Sequence, residues 1–355
     1  MSRLIPIQVL RAIAALAVAV LHAQYEAGLL AEAGGATFRP SRLLPWEAGV
    51  DVFFVISGFV MVFASRRLFA EPGARAVFLI RRIARVVPLY WLTTSVYLAL
   101  ALAAPALVNG TPTPGYVLAS YLFVPAARPD GTVQPLYSLG WTLDYEMFFY
   151  LLFAIALSLR ARAAVMAVLV ALGLLVAMVG VVNSPVPLAF WGDPIVLEFG
   201  VGMLLGLARI EGVVLGATAR VVLGLIGVGL FGLVAQVDPH LPRVMAFGVP
   251  AGFLVAACGL GRAHKLAEES WPVRAGTILG DSSYALYLIH PFVIRGMRQA
   301  LQHLAPTLPE APSLLVILGL IAAFAASVLV FRWVERPLTR LVRAGLERRP
   351  IVAEP

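Results

Sequence analysis

Residues 5–24 read IPIQVLRAIAALAVAVLHAQ. As a helix this stretch is about 30 Å long at 1.5 Å per residue, the thickness of a bilayer's hydrocarbon core. It nevertheless carries Arg11 and His22. Eleven steps of about 100° close three turns with only about 20° to spare, so both polar groups share one stripe, about 16 Å apart. Ionisable side chains at membrane depth are costly and as a rule face a polar interior. A snorkelling arginine and a packed, hydrogen-bonded histidine are the bland alternative, but two such groups on one stripe argue for a lined passage.

Working outward, apolar runs of similar length recur, and the spacing predicts ten spans: 5–24, 49–66, 85–107, 138–158, 163–182, 194–208, 219–236, 244–260, 277–302 and 313–334. Of 355 residues, 61% are hydrophobic and 13% charged, about half the charge usual for soluble domains. The fold expected is therefore all-α, a polytopic integral membrane protein. Residues 115–125 (GYVLASYLFVP) are apolar but too short to span, and read as an interfacial or re-entrant piece closed by Pro112, Pro114, Pro125 and Pro129. A single cysteine, Cys258, excludes an internal disulfide framework. The first run lacks a small-residue cleavage site, so no cleaved signal peptide is expected.

The net charge of +8 invites a nucleic-acid reading, which the apolar content excludes. With the N-terminus inside, 19 of the 27 basic residues fall in inner segments and 6 in outer ones. The positive-inside bias then places both termini in the cytoplasm and accounts for much of the charge.

Four further stretches carry ionisable groups where hydrocarbon is expected. GVDVFFVISGF (49–59) puts Asp51 at the outer end of the second span, level with His22, where a carboxylate would orient an imidazole and raise its basicity; a helix N-cap is the plain alternative. FLIRRIARVVPLYW (78–91) clusters Arg81, Arg82 and Arg85 on a short inner loop entering the third span. Guanidinium forks in that number suit a polyphosphate, although arginine there also serves as a topological anchor. SLGWTLDYEMFFY (138–150) buries Glu146 two turns in, with Thr142 and Tyr150 on its face; Asp144 reads as nearer the surface. GDSSYALYLIHPF (280–292) sets His290 near mid-membrane, with Ser283 and Tyr287 on its face and Pro291 loosening the backbone. No pair of histidines has metal-ligand spacing, and no metal is expected. No phosphate loop, GxSxG or dinucleotide fingerprint occurs.

Six of these stretches, taken in order, resemble the membrane-bound acyltransferase family 3: VLRAIAALAVAVLH with its Arg-x10-His spacing, GVDVFFVISGFV, RRIARVVPLYW, WTLDYEMFFY, SSYALYLIHPF and the closing WVERPLTR (333–340). The form GWTLDYEMFFY is most similar to the exopolysaccharide O-acetyltransferase branch. Many relatives carry two adjacent glutamates where this chain has Glu146 and Met147, and longer ones add a periplasmic esterase-like domain that is missing here. The resemblance implies a membrane acyltransferase domain over 1–340, a basic cytoplasmic tail over 341–355, and residence in the bacterial inner membrane. It implies acetyl-CoA as cytoplasmic co-substrate with no permanently bound cofactor, and as acceptor a sugar hydroxyl of an exopolysaccharide or its lipid-linked precursor. Arg11, Arg81, Arg82 and Arg85 are then donor-binding residues; His22, Asp51 and Glu146 catalytic; Trp141, Tyr287 and His290 acceptor-binding. His22 serves as general base or as transient acyl carrier. Membrane lipid is an expected partner, nucleic acid is not, and a homo-oligomer or polysaccharide-assembly partners stay open. The rival reading is a transporter or flippase for a polar glycolipid, which would often show internal repeats; none is visible. A scaffold of a polysaccharide assembly is a third, weaker one.

Overall fold

A computed structural model of the protein describes residues 4–104, 112–128, 130–234, 241–262, 271–304, 308 and 310–347. Among them the chain forms fourteen α-helices in the order α1 (Ile5–Ala33), α2 (Gly49–Ala64), α3 (Ala74–Ala103), α4 (Pro114–Tyr121), α5 (Trp141–Ala156), α6 (Ala161–Val179), α7 (Val186–Trp191), α8 (Leu197–Ile210), α9 (Ala217–Val234), α10 (Val249–Gly259), α11 (Trp271–Asp281), α12 (Ser283–Leu304), α13 (Ala311–Val330) and α14 (Arg336–Glu347). Extended pairing among the described residues is confined to the isolated bridges Ala127–Val133 and Leu215–Gly261. The fold is all-helical, as expected for a chain whose backbone must satisfy itself in hydrocarbon.

Seven helical segments are long and apolar enough to cross a membrane: Ile5–Ala33, Trp46–Ala64, Ala74–Ala103, Ser138–Ala156, Ala161–Val179, Ala217–Val234 and Ala311–Glu347. The other three of the ten expected spans differ for physical reasons. Helix α8 has only 14 residues. Helix α10 is entered through a π-helical turn, Val244–Gly248. The span expected at 277–302 breaks at Ser282 between α11 and α12, and α12 carries His290, Arg295 and Arg298. The segment at 115–125 forms the short helix α4, capped by the Thr113 hydroxyl. Of its four expected closing prolines, Pro129 lies outside the described residues, as do Arg3, Lys265, Arg348 and Arg349 of the charge count.

The chain divides into two compact units. The first comprises Met1–Val60 and Val201–Phe331. Here α1 is the hub: α10, α11, α12 and α13 all pack on it. Small residues make this close approach possible. Ala15, Ala19, Ala23 and Ala27 on α1 are fully buried, and Gly49 and Gly280 leave no room for a Cβ beside the α1 backbone at Ala14 and Gln8. Leu286 and Ile294 of α12 and Leu315 and Ala323 of α13 complete this apolar layer.

The second unit comprises Met61–Gly200 and Arg332–Pro355. Its core is aromatic. Phe78 of α3 lies 5.2 Å from Phe153 of α5, and Phe149 stacks on Phe199 at 4.4 Å. Gly140, at the start of α5, sits where a Cβ would meet the Tyr90 ring at 2.5 Å. Helix α4 is tied to α3 by Tyr90, whose hydroxyl donates to the Ser120 carbonyl, and by the Trp91 indole, which donates to that of Tyr121. Helix α14 packs on α3 after a π-helical turn at Phe331–Glu335; it runs through the expected tail boundary at 341, and the tail's residues 348–355 lie outside the described ones.

Candidate functional site

In the first unit the site is built on α1 and α12. Each of the two histidines bonds back to its own helix: His22 Nδ1 lies 2.9 Å from the Val18 carbonyl and His290 Nδ1 lies 2.9 Å from that of Leu286. A carbonyl only accepts, so both Nδ1 atoms carry the proton. His290 Nε2 is then an acceptor, and it lies 3.2 Å from His22 Nδ1. The His22 N–H is shared between Val18 and His290, and the basic lone pair of His22 is left on Nε2. The rings are 5.0 Å apart, Tyr287 is 6.4 Å from His290, and Phe53 meets Tyr287 edge-on at 6.0 Å. Among the sequence-derived candidates, this brings together His22, His290 and Tyr287.

One turn further along α1, Glu26 is buried and accepts from two arginines of α12, Arg298 Nε at 2.5 Å and Arg295 Nε at 3.3 Å. The pairs 22–290 and 26–295/298 advance in step, so α1 and α12 run parallel here. Asp51 does not turn to His22 as expected. Its fully buried carboxylate takes a bidentate pair from Arg243, Nε to Oδ1 at 2.9 Å and Nη2 to Oδ2 at 2.8 Å, with Arg243 itself 35% exposed. The π-helical turn that starts at Val244 follows Arg243 directly. Below, Arg11 donates to Gln8 Oε1 at 3.2 Å. Beside the C-terminal half of α1, a groove of about 530 Å³ is lined by Leu21, Gln24, Tyr25, Phe38, Trp46 and Glu47, among others. The Gln24 side-chain carbonyl accepts from the Ser41 N–H and the Trp46 indole donates to the Ser41 carbonyl, fixing the 38–47 loop over it.

The second unit holds the other candidates. Arg81, Arg82 and Arg85 stand on α3, which starts at residue 74, and not on the loop that was expected. The Arg82 guanidinium lies over Phe78 at 5.5 Å and Tyr150 at 6.0 Å. The Tyr150 hydroxyl donates to Glu146 Oε2 at 2.5 Å, so Arg82, Tyr150 and Glu146 form a chain. The Arg82 Nε is buried with no hydrogen-bond partner, and among the described residues none of the three arginines has an ion pair. Trp141 meets Tyr145 edge-on at 6.0 Å. Arg11 belongs to the first unit and the arginine trio to the second.

The family model of the acyltransferase domain matches residues 5–332. The chain belongs to this acyltransferase family. The exopolysaccharide production protein ExoZ of Rhizobium meliloti (strain 1021) is 34% identical over 305 residues, covering 84% of this chain and 90% of that protein. The acyltransferase MdmB of Streptomyces mycarofaciens is 28% identical over 375 residues, covering 98% of this chain and 93% of that protein. No solved structure matches the chain. In this acyltransferase, the histidine of the Arg-x10-His motif is the one whose lone pair lies on Nε2, its Nδ1–H being shared between Val18 and His290.

Four residues of the site escaped the sequence reading. Glu26 lies beyond residue 24, where the apolar run was ended, whereas α1 continues to Ala33. Arg243, Arg295 and Arg298 were counted only as outer positive charges; their partners are far away in sequence and nothing local announces them. Asp144, read as nearer the surface, is 1% exposed with one carboxylate oxygen unpartnered.

Proposed function

We propose that this membrane acyltransferase moves an acetyl group from acetyl-CoA, supplied on the cytoplasmic side, to a sugar hydroxyl of an exopolysaccharide or its lipid-linked precursor. The observation that carries the proposal is the His22–His290 pair, which leaves a lone pair on His22 Nε2 and a ready acceptor behind Nδ1. As the acceptor hydroxyl attacks the thioester carbonyl, His22 Nε2 takes its proton; the imidazolium is held by the Val18 carbonyl and by His290 Nε2. The C–S bond breaks, the ester forms, and the proton leaves with the coenzyme A thiolate. General-base assistance of this kind is worth about 10²–10⁴ in rate. His290 is thereby a positioning residue, and Asp51, locked to Arg243, secures α2 without orienting His22.

The donor's phosphates fall to Arg82 with Arg81 and Arg85, a trio with no ion pair among the described residues. Glu146, through Tyr150, sets the aromatic chain under Arg82. Within the first unit, Tyr25 and Trp46 of the groove and Tyr287 beside His290 present rings suited to the apolar face of a sugar. The proposed membrane is the bacterial inner one, crossed ten times with both termini in the cytoplasm.

The test is release of free coenzyme A by the purified protein given acetyl-CoA and an oligosaccharide acceptor. We expect release that depends on the acceptor. Movement of glycolipid across vesicles with no coenzyme A released would replace this reading by transport.

A further inference from the structure

We propose that Arg295, with Arg298 beside it, forms an oxyanion-binding site that recognises a carboxylate or phosphate carried by the acceptor. Among the described residues Glu26 is the one carboxylate hydrogen-bonded to the two arginines, so the cluster keeps one positive charge in excess. The neighbouring Asp51–Arg243 pair is neutral and cannot cancel it. The two arginines are not equivalent. Arg298 is spent inside the protein: its Nε sits on Glu26 at 2.5 Å, its Nη1 donates to Gln302 at 3.2 Å, and its side chain is 19% exposed. Arg295 touches Glu26 only through Nε, at a longer 3.3 Å, and its side chain is 44% exposed. Among the described residues neither terminal nitrogen of Arg295 has a protein partner. The result is an aimed fork: a guanidinium anchored at its base, with two parallel donors presented outward. That is the geometry that takes a carboxylate or phosphate bidentately.

Its place in the fold says which molecule carries the anion. Glu26 lies one turn, about 6 Å, from His22 on α1, and Arg295 about 7.5 Å beyond His290 on the parallel α12. An acidic group held here lies within one or two sugar lengths of His22 Nε2, and at the end of α1 away from Arg11. The acceptor would therefore be an acidic one, its charge either on a sugar or on the lipid carrier's diphosphate. This rests on the acyltransferase reading for the word acceptor, while binding of the anion does not depend on catalysis.

The experiment is titration calorimetry on the full chain in nanodiscs of neutral lipid. Four probes are used: cellobiouronic acid against cellobiose, and farnesyl diphosphate against farnesol. We expect one acidic probe to bind about tenfold or more tighter than its neutral counterpart, the scale of one charge-assisted contact. Arg295→Gln should erase that margin and Arg295→Lys keep most of it; Glu26 retains Arg298 in both variants, so the local pairing survives. Which acid is preferred tells whether the sugar or the carrier bears the charge. Equal margins in wild type and Arg295→Gln, no margin at all, or an effect of Arg295→Gln confined to retention of phosphatidylglycerol headgroups would each overturn the proposal. Anion binding intact in a wild type that releases no coenzyme A would instead sink the acyltransferase reading and leave this site standing.

Discussion

The two units solve the problem of charge in a membrane protein in opposite ways. Around His22 the carboxylates and histidines are matched, Asp51 with Arg243, Glu26 with Arg298 and Arg295, and the two histidines with each other and with backbone carbonyls, and only the excess charge of Arg295 is left over. Around Arg82 the positive charge is matched by rings instead. Phe78 and Tyr150 lie against the guanidinium, and its Nε has no acceptor. Internal pairing fixes side chains before any substrate arrives, which is what a proton-transfer residue needs. Uncompensated cations beside apolar rings leave attraction to be realised by an incoming anion, which is what a donor site needs. On the proposed roles, the base at His22 and the polyphosphate clamp at Arg82 would differ in how completely the protein itself satisfies each.

The comparison breaks most visibly at His22. In His22→Ala, acyl transfer should fall by about 10²–10⁴ while the protein still elutes as a folded species; a loss below tenfold would take the base away from this residue. Arg82→Gln should act on the other side of the contrast, raising KM for acyl-CoA about tenfold or more with a smaller change in kcat. Steady-state kinetics with the donor varied separates the two, and a kcat effect alone would make Arg82 structural. His290→Gln sharpens the positioning role, because the amide can still accept from His22 Nδ1. We expect it to lose several-fold in kcat and His290→Ala about tenfold; equal losses in both would mean that the ring itself, and not its accepting nitrogen, is required. Asp51→Asn should chiefly cost stability, about 2–3 kcal/mol in reversible unfolding. A buried ion pair broken on one side costs more and an exposed one less, and Arg243 is 35% exposed. A larger effect on kcat than on stability would return Asp51 to the catalytic set.

The depth and character of the polar residues could be read from the chain, but their partnerships could not. The helical period placed Arg11 and His22 on one stripe, and hydropathy marked His290 and Glu146 as expensive where they stand. The 22–290 contact spans 268 residues and depends on α1 and α12 running side by side in register, which no local pattern encodes. Asp51 seemed level with His22 because consecutive spans were assumed to be neighbours at that depth; a guanidinium 192 residues away wins it, since a bidentate pair satisfies both carboxylate oxygens at once. The arginine trio was assigned to a loop because charge ends an apolar window, yet α3 runs through it from residue 74. For the same reason Glu26 fell outside the first span. Asp144 was misjudged because depth along a helix was used in place of burial: it stands in the first turn of α5, yet is only 1% exposed.

The division of labour between the two regions is tested most directly by equilibrium binding of coenzyme A to purified His22→Ala and Arg82→Gln, with no acceptor present and no turnover. We expect His22→Ala to bind as the wild type does and Arg82→Gln to bind about tenfold or more weakly. Weakened binding in His22→Ala together with full affinity in Arg82→Gln would contradict the assignment of base to one unit and donor clamp to the other.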